Sequence, residues 1–179
     1  MIIDQVYLKN LVASVPDFPN KGHKFRDLSP LLADPKALQI ACDLLIHRYT
    51  CSDISAVVTV SDSGLLPGSI VAYRLQKPLI RIRPPQMIPG PSFEENVDNA
   101  LGHQAVALSE SALSTDDNVL LFDDAIASGE SMLAAAALVR RFSARIHEAC
   151  TLIDLPDAGG REKLIEQDVP FYALMTFED

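Results

Sequence analysis

Apolar side chains recur at helical spacing near the start of the chain and gather into short continuous runs further on. Val6, Leu8, Leu11, Val12 and Val15 give residues 5–15 an apolar stripe, which predicts an amphipathic helix ended by Pro16 and Pro19. Asp34-Pro35 supplies an N-cap followed by a first-turn proline, and Leu38, Ala41, Cys42 and Leu45 then share one helical face. Ala56-Val57-Val58-Thr59-Val60 is a short, mostly β-branched run, and residues 79–83 and 119–122 are similar, each followed by turn chemistry and a helical or irregular stretch. Residues 146–153 and 171–177 supply further strands, with Gly159-Gly160 and a short charged helix over 161–167 between them. Strands alternating with helices predict an α/β fold: a parallel sheet flanked by helices, here one domain over residues 1–179.

One segment departs from this pattern. Residues 84–97 hold Pro84, Pro85, Pro89, Gly90 and Pro91, and are expected to form a long irregular connection, a mobile lid over a site.

Composition narrows the function more than the fold. With 48% hydrophobic and 22% charged residues the chain is ordinary for a globular protein that buries a core. A net charge of -9 repels a phosphate backbone, so nucleic acid is not the expected partner. Cys42, Cys51 and Cys150 have neither zinc-site nor disulfide-framework spacing and read as buried or free thiols. No secretory leader or bilayer-length apolar run is evident, so no membrane association is expected and the cytosol is the expected compartment.

The chemistry concentrates in residues 119–131. The run Val119-Leu120-Leu121-Phe122 ends in Asp123 and Asp124, two carboxylates at the carboxyl end of a strand, where open α/β sheets bind ligands. Ala127, Ser128 and Gly129 leave room for an anion against the backbone N–H groups, and a helix opening at Ser131 presents its N-terminus to phosphate. The hydroxyls of Ser128 and Ser131 add donors. Neither dinucleotide nor nucleoside-triphosphatase glycine signatures occur, so the acidic pair is expected to meet ribose hydroxyls. Two aspartates after a strand also serve simply as helix caps or as a solvated turn. Aspartyl-phosphate chemistry is a third possibility, though it has no need of the Ser128-Gly129 turn.

The arrangement of apolar strand, Asp-Asp, three residues and Ser-Gly-x-Ser resembles the ribose-phosphate signature of the type I phosphoribosyltransferases. Pro16-Asp17-Phe18-Pro19, Gly22, Phe25-Arg26-Asp27-Leu28-Ser29-Pro30-Leu31-Leu32 and Gly160-Arg161-Glu162-Lys163-Leu164 are similar to the adenine-specific branch of that family, so the likeness spans nearly the whole chain. It implies a type I phosphoribosyltransferase-like core with a small N-terminal hood over about residues 1–32, and a homodimer. It implies that adenine and 5-phosphoribosyl-1-diphosphate give AMP and diphosphate, with magnesium held mainly by the diphosphate substrate and no direct protein ligands to the metal. Asp123 and Asp124 would be catalytic, binding the ribose hydroxyls and stabilising the cationic sugar. Together with Ala125, Ala127, Ser128, Gly129, Glu130 and Ser131 they would bind the ribose phosphate. Phe25 and Arg26 would line the base pocket, although Phe25 taken alone reads as a core aromatic. Ser63, Gly64 and Arg83 would bind the diphosphate.

The match thins on the diphosphate side. Ser63 stands where the family usually carries an arginine, a lost charge-assisted hydrogen bond worth about one to two powers of ten in binding. Pro84 and Met87 replace common lysines, leaving Arg81, Arg83 and magnesium to supply charge. Ala100-Leu101-Gly102 replaces a family Glu-Tyr-Gly, so its glutamate is absent; Glu94 and Glu95 lie nearby but read as solvated charges. Glu130 occupies a position often held by glycine and is expected to point to solvent, with its N–H still facing the phosphate. Two functions follow: an adenine phosphoribosyltransferase with an unusual diphosphate site, or a weak or inactive AMP-binding regulatory module on the same fold.

Overall fold

The computed structural model describes residues 2–18, 21–22, 24–99 and 102–178. Its centre is a five-stranded sheet of β3 (Ala56–Thr59), β4 (Leu79–Arg81), β7 (Asn118–Ile126), β8 (Arg145–Asp154) and β9 (Phe171–Thr176) in the order β4-β3-β7-β8-β9. All its neighbouring pairs are parallel. The predicted strands are therefore present, with ends shifted by a few residues. β7 runs on to Ile126, so both aspartates lie within the strand rather than after it.

β7 occupies the middle of the sheet, and Val119, Leu120, Leu121 and Phe122 are fully buried. The pleat divides them. Leu120 and Phe122 join one core cluster with Leu8, Leu45, Val57 and Leu152, while Val119 and Leu121 join another with Val58, Met132, Leu138 and Leu164. Burial on both faces explains why the run reads as continuously apolar rather than alternating.

Helices cover both faces. The short α2 (Ser29–Ala33) leads into α3 (Pro35–Tyr49), which starts as predicted, with the Asp34 carboxylate accepting from Ala37 N at 2.9 Å. α4 (Asp62–Leu75) follows β3, α5 (Glu130–Arg141) follows β7, and α6 (Gly160–Glu166) precedes β9. From β3 the chain crosses through α4 to β4 on one side, and from β7 it crosses through α5 to β8 on the other. The sheet therefore reverses its winding between β3 and β7, and a crevice opens at their carboxyl ends.

Two expectations fail. The opening helix, α1 (Ile2–Asn10), stops short of residue 15; Ala13–Pro16 is strand β1, paired antiparallel with β2 (Lys24–Asp27). Helical spacing of apolar residues lost to a nearby partner strand that satisfies the same backbone groups. Residues 84–97 are not the irregular connection expected either. Pro85–Met87 forms one 3-10 turn, and Ser92–Asn99 is strand β5, paired along its length with β6 (Gly102–Ser109). The prolines and Gly90 end at position 91, and the β-compatible residues after them find their partner beyond the sequence window that suggested a loop. This hairpin is anchored: Arg83 and Ala107 exchange backbone hydrogen bonds of 3.1 and 2.8 Å, and Phe93 meets Phe142 of the α5 end edge-on at 5.0 Å.

Candidate active site

The crevice is lined from the β7 side by an acidic pair and a tight loop. Asp123 is 6% exposed, and its Oδ1 accepts from the Ser61 hydroxyl and from Asp124 N at 2.9 Å. Burial pushes its pKa well above the ordinary carboxylate range; the neighbouring Asp124 charge adds to this, while the hydrogen bond from Ser61 opposes it. Asp124 is half-buried beside it.

Beyond the pair, Ala127 and Ser128 turn the chain, and Gly129 caps α5 at φ +79°. A side chain there would be strained in conformation and would also strike the Gly160 backbone at 2.9 Å. Gly160 is equally constrained: its N–H donates to Ala127 O at 2.9 Å, and a Cβ would fall 2.3 Å from that same oxygen. The first N–H groups of α5 have no partner within the helix, so loop and helix end form an anion cradle. The side chain of Ala125 packs on the core rather than lining the crevice. Glu130, not Ser131, opens α5, and its carboxylate is held by Lys163 of α6 at 2.5 Å. It is paired rather than left to solvent, which corrects the expectation for this residue.

Opposite lies the start of α4. Ser61 caps this helix by accepting from Gly64 N at 3.0 Å. Gly64 abuts the acidic pair so closely that a Cβ would lie 2.7 Å from Asp123 Oδ1. Ser63 is exposed. A cleft of about 300 Å³ runs from here past Asp62, Arg83, Pro84 and Gln104 to Ser131. Arg83 is the cation lining it among the described residues, and its Nε is buried without a hydrogen-bond partner there. Arg81 does not line this cleft; it pairs with Asp62 at 2.9 Å. Met87 is 60% exposed on its 3-10 turn.

Phe25 and Arg26 sit on β2. Phe25 is 43% exposed and meets Phe18 edge-on at 5.2 Å, so it is not a core residue. The Arg26 guanidinium stacks over Phe177 at 4.8 Å. Phe177 N donates to Asp154 O, and Asp154 sits in register with Ile126. Through this chain of contacts β2 reaches the carboxyl ends of β7 and β8, bringing Arg26 to the same end of the sheet as the acidic pair. Glu95 pairs with Arg141 at 3.0 Å, at the end of α5 away from the crevice, and Glu94 is exposed on the hairpin. Neither is delivered to the site. Pro19, Ala100 and Leu101 lie outside the described residues.

Three contributors carried no signal of their own in the sequence. Ser61 had only its place in the stretch 61–64 that resembles the diphosphate loop, and Asp154 is a 1%-exposed carboxylate with Arg161 at 3.3 Å. Lys163 stands in a segment, 160–164, that carries only a family likeness. Among the described residues, no group of three or more His, Cys, Asp or Glu side chains could hold a metal ion, and no helix is long and apolar enough to cross a membrane.

Comparison with known proteins converges on one family. The phosphoribosyl transferase domain matches residues 30–173. An adenine phosphoribosyltransferase of Stutzerimonas stutzeri is 42% identical, covering 99% of this chain and 98% of its own. One from a Marinomonas species is 37% identical, covering 99% of each. Among solved structures, adenine phosphoribosyltransferase from Thermoanaerobacter pseudethanolicus superposes with a TM-score of 0.90 at 26% identity, covering 97% of this chain and 99% of that one. The Saccharomyces cerevisiae enzyme, complexed with an imino-altritol bisphosphate and adenine, gives 0.89 at 26% identity, covering 98% of this chain and 100% of that one.

Proposed function

The chain belongs to the phosphoribosyl transferase family and is an adenine phosphoribosyltransferase, joining adenine to 5-phosphoribosyl-1-diphosphate to give AMP and diphosphate; on that premise we propose how its residues divide the work. The cradle formed by Ala127, Ser128, Gly129, Glu130 and Ser131 binds the 5′-phosphate through backbone N–H groups and two hydroxyls. Asp123 and Asp124 take the ribose hydroxyls. As the bond to diphosphate breaks, positive charge develops on the sugar, and a carboxylate pair held against it in a buried setting stabilises that charge more than the same pair would in water. The raised pKa of Asp123 fits this role, because a nearby cation favours the ionised form that burial disfavours.

Adenine binds at the hood, against Phe25 and Arg26. Diphosphate lies in the cleft, where the buried, unpartnered Nε of Arg83 supports a charge-assisted contact and Ser63 and Gly64 offer a hydroxyl and a helix N-terminus. A magnesium ion would enter with the diphosphate substrate, and Asp123 and Asp124 would lie beside it at the ribose hydroxyls. Bound that way, magnesium supplies charge neutralisation for the leaving diphosphate.

The observation that carries this reading is the junction of Asp123 with both phosphate-facing helix starts: Ser61 of the α4 cap donates to it, and β7 runs on from it into the Gly129 turn. A cytosolic homodimer belongs to the same proposal, supported by the family and by the three free thiols; equilibrium sedimentation at twice the 19.5 kDa chain mass is its check. The test of the function is to follow AMP and diphosphate together from adenine, 5-phosphoribosyl-1-diphosphate and magnesium, with an Asp123→Asn/Asp124→Asn variant beside the wild type. Equal amounts of both products from the wild type alone are expected. Equal rates from both proteins would remove the acidic pair from the mechanism.

A further inference from the structure

A glutamate beside a phosphate cradle ought to weaken it. Glu130 is the first residue of α5, directly after Gly129, so its N–H belongs to the donors that face the anion while its own charge is negative. At about 5 Å in a surface dielectric, each unit of phosphate charge would weaken binding by roughly five- to a hundredfold. The side chain is only 36% exposed, so water does not fully screen it.

The compensation comes from a distant part of the chain. Lys163 Nζ lies 2.5 Å from Glu130 Oε1, bridging α6 to α5 across 33 positions. Placement is not left to two flexible side chains. The backbone of Gly160, the first residue of α6, is hydrogen-bonded to Ala127 and packed against Gly129, which fixes the start of α6 directly against the phosphate loop. The neighbouring cation, Arg161, is turned to Asp154 instead. Lys163 is therefore the side chain that answers Glu130.

We propose that Lys163 is a positioning residue for ribose-phosphate binding: its ammonium holds the Glu130 carboxylate aside and cancels its charge, so that the first turn of α5 can accept a phosphate dianion. This rests on the assignment of residues 127–131 to the 5′-phosphate. The pair does two things at once. It removes the repulsion, and it ties α6 to the loop that α6 already supports through Gly160.

The test is a double-mutant cycle read in steady-state kinetics and in AMP binding by calorimetry. Lys163→Met should raise KM for 5-phosphoribosyl-1-diphosphate, and Kd for AMP, by about tenfold, as one uncancelled charge near the phosphate requires, with kcat changed less than KM. Raising salt should shrink the defect. In a Glu130→Gln background the same lysine substitution should change either constant by less than about twofold, since no charge remains to cancel. Lys163→Arg should retain most of the affinity. An unchanged KM in Lys163→Met, or an equal loss in the Glu130→Gln background, would overturn the proposal and leave a purely structural ion pair. A wild type that neither makes AMP nor binds it would instead remove the phosphate assignment itself, so the two failures are distinguishable.

Discussion

Around the phosphate loop, two glycines approach so closely that a single methyl group on either would strike backbone, and an ion pair from another helix covers the one awkward charge. Across the cleft, residues 61–64 offer hydroxyls and one helix end, and the lining has one arginine and one aspartate among the described residues. The proposed ribose-phosphate side is specified by packing and the proposed diphosphate side by a sparse set of charges. Packing is shared among many atoms and fails abruptly, whereas a charge deficit is graded and can be restored by one side chain or by an ion carried in with the substrate.

The difference should appear in how each side breaks. The largest effect belongs to Asp123→Asn/Asp124→Asn: kcat falls by about a thousandfold, read as AMP formation at saturating substrate, because a transition-state charge loses its preorganised partner. Next, Gly160→Ala should raise KM for 5-phosphoribosyl-1-diphosphate by about a hundredfold and lower the melting temperature, since the Ala127 carbonyl must move to admit the methyl. Arg83→Gln should raise KM for that substrate by about ten- to thirtyfold while leaving the Kd of AMP, which carries no diphosphate, nearly unchanged. Equal losses for both ligands would mean that the two sides are not separable.

The smallest effect is on stability. An acid whose pKa is raised on folding binds its proton more tightly in the folded protein than in the unfolded chain, so its full stability is present below the ordinary carboxylate range and is lost as pH rises from there through the folded value. Asp123→Asn escapes that loss. Its melting temperature should exceed that of the wild type by about 2–6 °C near pH 8, with the gap closing toward pH 4, by calorimetry. A gap independent of pH would show that folding does not shift the Asp123 pKa.

The strand, acidic pair and turn of the proposed ribose-phosphate side were legible in the sequence because their signal is local. An apolar strand, two acids, a small-residue turn and a helix follow one another along the chain, and each has its own propensity. What completes that side is not local. Gly160 and Lys163 reach the loop only through packing, so neither a two-residue glycine turn nor a charged helix announces what it will touch. The β5–β6 hairpin escaped for a related reason: prolines at 84, 85, 89 and 91 dominate the reading of 84–97, yet the strand begins where they stop. Residues 13–16 continued a helical stripe and still became a strand, because an antiparallel partner stood ready in Lys24–Asp27. On the diphosphate side the sequence told which charges are missing, but not that Arg81 would be engaged by Asp62 while Arg83 keeps a free, buried Nε.

The most direct test of the contrast is to restore the missing charge with Ser63→Arg and to measure KM for 5-phosphoribosyl-1-diphosphate beside the Kd of AMP. If the diphosphate side is limited by charge and the ribose-phosphate side is complete, KM falls by about tenfold and AMP affinity does not move. A KM that stays the same, or an AMP affinity that shifts by as much, would contradict the account.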